Sequence, residues 1–348
     1  MAHGGRVRGI ASAAAVLAVA VGLTAIDPAG VTEVADAAPV APLGVSHCNV
    51  STSPVMGTLS VPMANFYLRE HLTVTVDACI DGKGPFKLTV DTGATTSSVS
   101  PQLARALHLP TSGTARIAVG ISCTAVVHPV KIARWSIGSV PLQAQSVLVT
   151  PYPGITTSTS RGHPVGFLGS DVLSRFGAVK LDYQHHQLDL PGSEGAPFSQ
   201  VDTVAATPPS LLAAEPESPV TVPLVVTALS GNVRITALVR FGDKGPIPFA
   251  VDTGAAVSAI SSAKASQLHL DVLNSTMPLL SLNCESRVPL AASGRWSVGS
   301  APLHEQNLAV VRLPGAQFED KWGSLGTDQL SRFGQVVIDF AGSRLLLY

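Results

Sequence analysis

The stretch Val90-Asp91-Thr92-Gly93-Ala94 occurs twice in this sequence, the second time as Val251-Asp252-Thr253-Gly254-Ala255. The residues that follow the two copies also match, with a cysteine, a tryptophan and a Gly-Ser-x-Pro-Leu run at equal distances from each aspartate. A later run, residues 168–177, has its counterpart in residues 325–334. The chain is therefore an internal duplication in which each half carries one Asp-Thr-Gly.

The length and composition of the chain limit its class. Among 348 residues 46% are hydrophobic, so each repeat can form a lobe of roughly 120 residues with a core of its own. Charged residues make up 13% of the chain, and the formal net charge is −1. Nucleic acids bind to basic surfaces, so this composition argues against nucleic-acid binding.

The N-terminal residues have the pattern of an export signal. Arg6 and Arg8 precede an apolar run over residues 10–26, and Ala35-Asp36-Ala37 is a small-x-small cleavage site. We predict a signal peptide over residues 1–37 and a secreted or cell-envelope protein. The alternative is an uncleaved span that anchors the protein in a membrane, at least transiently, although the run is near the lower length limit for spanning.

The remaining chain divides into four parts. Residues 38–70 are rich in Ala, Pro and Ser without a clear period, which is typical of a leader or a propeptide. The first lobe is predicted over residues 71–190 and the second over residues 220–348. Residues 191–219 contain many prolines with Ser, Ala and Glu, a composition that favours a linker.

Alternation of apolar and polar residues predicts β-strands. Leu72, Val74 and Val76 alternate with polar residues, and Asp91 and Asp252 each follow a strand that ends in a glycine-bearing turn. Short helices are predicted over residues 101–109, 171–176 and 262–270. The predicted fold class is all-β, with two lobes and few short helices.

Four cysteines in an exported chain predict disulfide bonds, for which three complete pairings exist. Cys123 and Cys284 occupy equivalent positions in the repeats and could meet near a pseudo-two-fold axis. Cys48 would then pair with Cys79 and tie the N-terminal segment to the first lobe. The sequence has no Cys-x-x-Cys or His-Glu-x-x-His spacing, so we predict neither a metal site nor a cofactor.

The duplicated motif predicts a catalytic pair of carboxyl groups, Asp91 and Asp252. Two carboxyl groups about 3 Å apart share one proton, because like charges at that distance do not both form. The ionised group can accept a proton from water while the protonated group donates to a carbonyl oxygen. This chemistry needs no metal and no covalent intermediate with the enzyme.

The residues beside the aspartates suit this role. Gly93 and Gly254 allow close approach of the backbone and leave N–H groups that can donate to a carboxylate. Thr92 and Thr253 carry hydroxyls that can hydrogen-bond to the opposite loop and fix the geometry of the pair. One Asp-Thr-Gly alone is usually a plain turn, so the duplication is what indicates catalysis.

From about residue 70 to its end, the chain resembles the aspartic peptidases of the pepsin and retropepsin clan. The matching motifs are Asp-Thr-Gly-Ala after a strand in each half and a downstream run that ends in Gly169 or Gly326. The second run departs from the family pattern, with Ser324 where an apolar residue is usual. The alanine resembles retropepsins more than pepsin, and the fused form resembles the pepsin-like domains of mycobacterial PE proteins.

This resemblance implies a secreted aspartic endopeptidase in which Asp91 and Asp252 activate water. It implies a polypeptide substrate, bound in extended form as an added strand. Both halves of the dyad lie in one chain, so we expect a monomer with pseudo-two-fold symmetry. The alternative is a catalytically silent peptide-binding protein with the same fold.

The resemblance also predicts flaps over the cleft. Pepsin-like enzymes carry a flap tyrosine, but no Tyr or Phe occurs between Asp91 and Trp135. We expect one flap near residues 119–127, a second near residues 281–288, and at the tip of the first Gly120, Ile121 and Ser122. A disulfide between Cys123 and Cys284 would then restrict the entry of substrate.

Other repeated residues are interpreted as structural. Trp135 and Trp296 recur at equal spacing, which favours packing in the core over stacking on a substrate. Asp171 and Asp328 lie at the predicted start of short helices and are interpreted as helix-start residues rather than a second dyad.

Overall fold

The structure is a computed structural model that describes most of the two predicted lobes. It describes residues 15–16, 46–50, 57–68, 70–151, 162–191, 218–229, 231–282, 284–312 and 323–348. The predicted signal peptide and linker lie almost entirely outside these ranges. Within them, no helix has both the length and the apolar character needed to cross a membrane.

The first lobe is built on antiparallel strands with two short helices. The strands up to the end of this lobe are β1 (Ala15–Val16), β2 (Ser46–His47), β3 (Thr58–Leu68), β4 (His71–Ile80), β5 (Lys83–Asp91), β6 (Ser98–Val99), β7 (Arg116–Val119), β8 (Thr124–Ile132), β9 (Trp135–Ile137), β10 (Val140–Leu142), β11 (Gln145–Val149), β12 (Pro164–Gly169), β13 (Ala178–Asp182) and β14 (Gln187–Pro191). The helices are α1 (Pro101–Leu107) and α2 (Ser170–Leu173), which continues as a 3-10 turn over Ser174–Phe176.

The second lobe repeats this order. Its strands are β15 (Val220–Leu229), β16 (Asn232–Phe241), β17 (Lys244–Val251), β18 (Ala259–Ser261), β19 (Val272–Ser281), β20 (Cys284–Ala292), β21 (Trp296–Val298), β22 (Ala301–Leu303), β23 (Asn307–Val311), β24 (Gly323–Leu325), β25 (Gln335–Asp339) and β26 (Arg344–Leu347). Its helices are α3 (Ser262–Gln267) and α4 (Thr327–Leu330), followed by a 3-10 turn over Ser331–Phe333. The all-β, two-lobed prediction is confirmed.

A six-stranded antiparallel sheet joins the lobes in the order β3-β14-β13-β25-β26-β15. At its centre β13 of the first lobe pairs with β25 of the second, with Lys180 opposite Val337. The two halves of this sheet consist of equivalent strands. It therefore carries the pseudo-two-fold relation between the lobes and fixes their relative position.

The short helices have local sequence causes. Ser100 precedes α1 and its Oγ accepts from the backbone N–H of Leu103 at 3.1 Å, which caps the first turn. The helix ends where His108 adopts a left-handed conformation, with φ of 52°. Ser261 caps α3 in the same way through Lys264. The predicted helices are present, and each is shorter than expected.

The repeated tryptophans pack in the core, as predicted. Trp135 is 1% exposed and Trp296 is 4% exposed. Each indole N–H donates to a backbone carbonyl at 2.8 Å, that of Gln143 in the first lobe and that of His304 in the second. Because the polar edge of each ring is satisfied inside the protein, the tryptophans serve packing.

The structure corrects the predicted start of the first lobe. We expected residues 38–70 to be a leader or a propeptide, but β3 runs through Thr58–Leu68 and pairs with both β4 and β14. The prediction failed because the alternation of Leu59, Val61 and Met63 with more polar or exposed neighbours was overlooked in a stretch rich in Ala, Pro and Ser. The equivalent strand of the second lobe is β15, so the repeat begins earlier than residue 71.

Candidate active site

Asp91 and Asp252 lie at the ends of two equivalent buried strands. Asp91 ends β5, which runs parallel to β12 with Val90 opposite Leu168. Asp252 directly follows β17, which runs parallel to β24 with Val251 opposite Leu325. Both aspartates are fully buried. The parallel partner strands explain the repeated Leu-Gly, since each supplies the neighbour of the strand that carries an aspartate.

The threonines cross-link the two loops. Thr92 Oγ1 donates to the carbonyl of Val251 at 2.8 Å, and Thr253 Oγ1 donates to the carbonyl of Val90 at 2.7 Å. Each hydroxyl also accepts from the backbone N–H of the other threonine at 3.1 Å. These four bonds connect one lobe to the other and make a fully buried, symmetric network. The role predicted for the threonines matches this geometry.

The glycines bring each loop against the opposite carboxyl group. A Cβ atom on Gly93 would lie 2.3 Å from Cγ of Asp252, and one on Gly254 would lie 2.2 Å from Cγ of Asp91. No side chain fits at those distances. Glycine at both positions is therefore what lets the two aspartates face each other across the axis.

The electrostatics of the pair favour a shared proton. Burial, followed by the negative charge of Asp252, raises the pKa of Asp91 well above its usual value. Burial also raises the pKa of Asp252, to about 7, against backbone and side-chain hydrogen bonds that lower it. The two groups therefore titrate as a pair that retains a proton to higher pH than a free carboxyl group would.

The hydrogen bonds of the two carboxyl groups differ. Asp91 Oδ1 accepts from the backbone N–H of Ala94 at 2.8 Å. Asp252 Oδ1 accepts from Gly254 at 3.1 Å and from Ala255 at 2.9 Å. Asp252 Oδ2 also accepts from the hydroxyl of Ser324 at 3.3 Å. In the described part of the chain, Oδ2 of Asp91 is buried without a hydrogen-bond partner.

A second pair of carboxyl groups, buried at Asp171 and half-buried at Asp328, braces the two Asp-Thr-Gly loops. Asp171 accepts from the N–H of Ser97 at 2.8 Å and from its hydroxyl at 2.7 Å. Asp328 accepts from the N–H of Ser258 at 2.8 Å and from its hydroxyl at 2.7 Å. Each lies in the first turn of a short helix, α2 or α4, as predicted. The serine partners were missed, although their equal spacing from the two motifs could have revealed them.

The helix-start residues next to those aspartates also hold the loops. Ser170 Oγ donates to the carbonyl of Thr92 at 2.8 Å, and Thr327 Oγ1 donates to that of Thr253 at 2.9 Å. Gly169 allows this contact, because a Cβ atom there would lie 2.8 Å from the carbonyl oxygen of Ala94. The downstream run and the Asp-Thr-Gly loop therefore form one unit in each lobe.

Two hairpins lie where the flaps are predicted. The first consists of β7 and β8 and the second of β19 and β20, with antiparallel pairing in each. The tip of the first has a tight turn in which the N–H of Gly120 donates to the carbonyl of Cys123 at 2.8 Å. The tip of the second includes Leu282. Position and shape support a flap role for both hairpins.

Each flap tip packs against the opposite lobe, so the tips are exchanged between the lobes. Ile121 is fully buried among second-lobe residues, which include Val257 and Leu279. Leu282 is buried among first-lobe residues, which include Ala118 and Val127. Sequence placed Ile121 near a tip but did not reveal this exchange, because neither partner surface is local in sequence.

Both expected disulfides are present. Cys123 is bonded to Cys284, which joins the two flaps beside their tips. Cys48 is bonded to Cys79, which ties residues before β3 to β4. Ser122 lies beside the flap disulfide, with its Oγ 3.4 Å from Sγ of Cys284. The two hairpin tips are thus joined by a covalent bond as well as by apolar contacts.

Comparison with known proteins gives one strong match. Solved structures that resemble the chain include basic 7S globulin from soybean, at 13% identity, 84% coverage of this chain, 95% coverage of that chain and a TM-score of 0.41. They also include conglutin gamma from lupine seeds, at 11% identity, with the same coverages and a TM-score of 0.39. No curated protein matches the sequence. The model of the aspartyl protease family matches residues 76–172 and again residues 237–329. The chain belongs to the aspartyl protease family.

Proposed function

We propose that the protein is a secreted aspartic endopeptidase. The observation that carries the proposal is the complete dyad, in which Asp91 and Asp252 face each other, each against the glycine of the opposite loop. The cross-bonded Thr92 and Thr253 hold that arrangement. A protein that only bound peptides would have no need of a pair of buried carboxyl groups with raised pKa values.

The proposed reaction uses the pair as base and acid. The ionised Asp252 takes a proton from a water molecule as the water oxygen bonds to the carbonyl carbon of the peptide. Asp91 gives its proton to the carbonyl oxygen, which forms a neutral tetrahedral diol. Asp252 then protonates the leaving nitrogen, Asp91 takes back a proton from a diol hydroxyl, and the C–N bond breaks.

The proposed substrate is an extended polypeptide that lies between the dyad and the flaps. The flap strand β7 pairs with β8 and offers its other edge for strand-like pairing with such a chain, whereas β19 pairs with β20 and, at Leu279 and Leu280, with β1. Because the dyad is fully buried and the tips are exchanged, the hairpins must separate before a peptide can reach it. The protein acts as a monomer in this proposal, since one chain supplies both aspartates.

The proposed location is outside the cytoplasm. Two disulfides are compatible with an oxidising compartment. The predicted signal, residues 1–37, lies almost wholly outside the described residues and stays a prediction. Analysis of the mature N-terminus by mass spectrometry would test it, because an intact residue 1 would favour the anchored alternative.

A second candidate is a silent peptide-binding protein of the same fold. The closed flaps favour it, because a disulfide joins them over the dyad. The two candidates differ in one respect: only the peptidase needs both carboxyl groups. Peptide binding without hydrolysis would survive replacement of either aspartate.

The deciding experiment compares the wild-type chain with Asp91→Asn and Asp252→Asn. Each is incubated with denatured proteins from pH 3 to 8, with and without a thiol reductant and with and without pepstatin. Asp243→Asn, at an exposed turn, is the control for the change of charge. Cleavage lost in both dyad variants but kept in the control supports the proposal. Equal cleavage in all four proteins, or none under any condition, overturns it.

A further inference from the structure

The two halves of the dyad are not equivalent at one position. In the first lobe the residue before the repeated Leu-Gly is Phe167, and in the second it is Ser324. Ser324 lies in β24, fully buried, next to the strand that leads into Asp252. Its hydroxyl reaches Oδ2 of Asp252 at 3.3 Å. Phe167 has no atom that could donate such a bond to Asp91.

Packing does not require a serine at this position. In the second lobe the ring of Phe249 lies over Gly323, where a Cβ atom would come within 2.2 Å of it. The equivalent residues in the first lobe are Leu88 and Gly166. A Cβ atom on Gly166 would lie 3.0 Å from Cδ2 of Leu88. Successive side chains of a strand point to opposite faces, so this ring does not define the space at position 324, where the residue opposite on β17 is Ala250. Nothing in these packing contacts calls for a hydroxyl, whereas the carboxyl group of Asp252 accepts a hydrogen bond from it.

We propose that Ser324 is a positioning residue that assigns different roles to the two aspartates, with Asp252 as the base and Asp91 as the acid. A hydroxyl that donates to a carboxylate stabilises its ionised form. Asp252 receives this bond in addition to two backbone N–H bonds, whereas Oδ2 of Asp91 has no partner in the described structure. The base and acid roles rest on the proposed peptidase function, whereas the effect of Ser324 on the ionisation of Asp252 does not.

The surroundings of the pair agree with this assignment. The titratable group that faces Asp252 is Asp91, from the opposite lobe, and its effect is reciprocal. Burial raises the pKa values of both groups, but the hydrogen bond from Ser324 is among the contacts that lower the value for Asp252. Asp91 itself is the other side chain whose hydrogen bond lowers the value for Asp252.

The first test is a direct titration that does not depend on activity. The full chain is labelled with 13C at aspartate Cγ, and the signals are assigned with the Asp91→Asn and Asp252→Asn variants. In the wild type, we expect Asp252 to ionise first. In Ser324→Ala, the lower of the two pKa values of the pair should rise by roughly one unit, because a donor to the charged form has been removed.

The second test is the pH dependence of kcat/KM on a peptide substrate. The acidic limb should move to higher pH by a similar amount in Ser324→Ala, and by less in Ser324→Thr, which keeps a hydroxyl. Ser136→Ala is the matched control, because Ser136 is a fully buried serine whose hydroxyl has no partner in the described structure. Its titration and its pH profile should equal those of the wild type.

The outcomes separate this proposal from the proposed function. If no variant cleaves peptides but Ser324→Ala still raises the lower pKa, the assignment of the pair stands and the peptidase function fails. If the wild type cleaves peptides but Ser324→Ala leaves the titration unchanged, the role of Ser324 is overturned. The same conclusion follows if Asp91 ionises first in the wild type.

Discussion

The backbone N–H of Ile121 donates to the hydroxyl of Ser281 at 3.0 Å, so the tip of one flap is bonded to the tip of the other. The same contact leaves no space at Gly120, where a Cβ atom would lie 2.4 Å from that hydroxyl. Together with the exchanged side chains and the disulfide, this bond joins the two hairpins, while both aspartates are fully buried. In the proposed peptidase, separation of the hairpins determines access to the dyad.

Removal of the flap disulfide should increase access. In Cys123→Ser/Cys284→Ser we expect roughly a tenfold rise in kcat/KM for peptides, because apparent affinity follows the fraction of molecules in the open state. Burial is the first cause of the raised pKa values of the dyad, so the acidic limb should also move to lower pH. Assays of pH profiles with and without reductant measure both effects.

The other disulfide supplies the control for this prediction. Cys48→Ser/Cys79→Ser removes a bond that lies in the first lobe alone, so it should lower thermal stability without a change in the pH profile. An equal gain of activity in both double variants would mean that general loosening, rather than flap opening, is responsible.

Alanine at either dyad glycine should abolish activity. In Gly93→Ala the new methyl group would overlap the carboxyl group of Asp252, and the pair would have to move apart. A displacement of about 1 Å in a catalytic pair typically costs about a hundredfold in rate. We expect at least that loss in kcat/KM. Gly113→Ala, at an exposed position, should retain activity, and a fully active Gly93→Ala would contradict the described geometry.

Loss of a threonine hydroxyl should weaken the fold as well as the site. Thr92→Val removes a donor to Val251 and an acceptor for Thr253, which leaves two buried backbone groups unpaired. The expected loss in the free energy of unfolding is about 3 kcal/mol. Thr92→Ser keeps the hydroxyl and should lose much less. Denaturant unfolding of the three proteins measures the difference, and a loss in Thr92→Val no larger than that in Thr92→Ser would contradict the role of the hydroxyl.

Stability should fall as pH rises through the titration of Asp171. Burial raises its pKa from 3.8 to about 6, against hydrogen bonds from Ser97. A carboxyl group with a raised pKa in the folded state stabilises the fold while protonated, and this contribution is lost between about pH 4 and 6. Its size is about 3 kcal/mol for a shift of this magnitude. In Asp171→Asn, the decline of unfolding free energy over that range should be correspondingly smaller.

The pKa of Asp182 is shifted in the opposite direction to that of Asp171. Burial acts to raise its pKa, but hydrogen bonds with His185 lower it below the usual value overall. Its contribution is therefore present above the unfolded pKa and is lost as pH falls. Asp182→Asn should lower stability near neutral pH and leave the decline between pH 4 and 6 in place. A flattened decline in this variant would contradict the assignment to Asp171.

The duplication, the fold class and the two aspartates of the dyad could be predicted from the amino-acid sequence. These follow from local patterns: a strand that ends in Asp-Thr-Gly, and a second copy at matching spacing. The equivalence of Cys123 and Cys284 in the repeats indicated their pairing for the same reason. Two equivalent residues meet when both lie close to the pseudo-two-fold axis. A repeat in the sequence can therefore predict a contact in the fold.

The differences between the two halves, and the packing of each half against the other, depend on contacts between residues that are distant in sequence. The exchange of Ile121 and Leu282 depends on apolar surfaces formed by distant strands, which no local pattern specifies. The place of β3 in the sheet between the lobes depends on pairing with β14, more than a hundred residues away. The sequence shows Ser324 as a departure from the apolar residue that the family pattern has there. Its bond to Asp252 exists only because β24 lies beside β17.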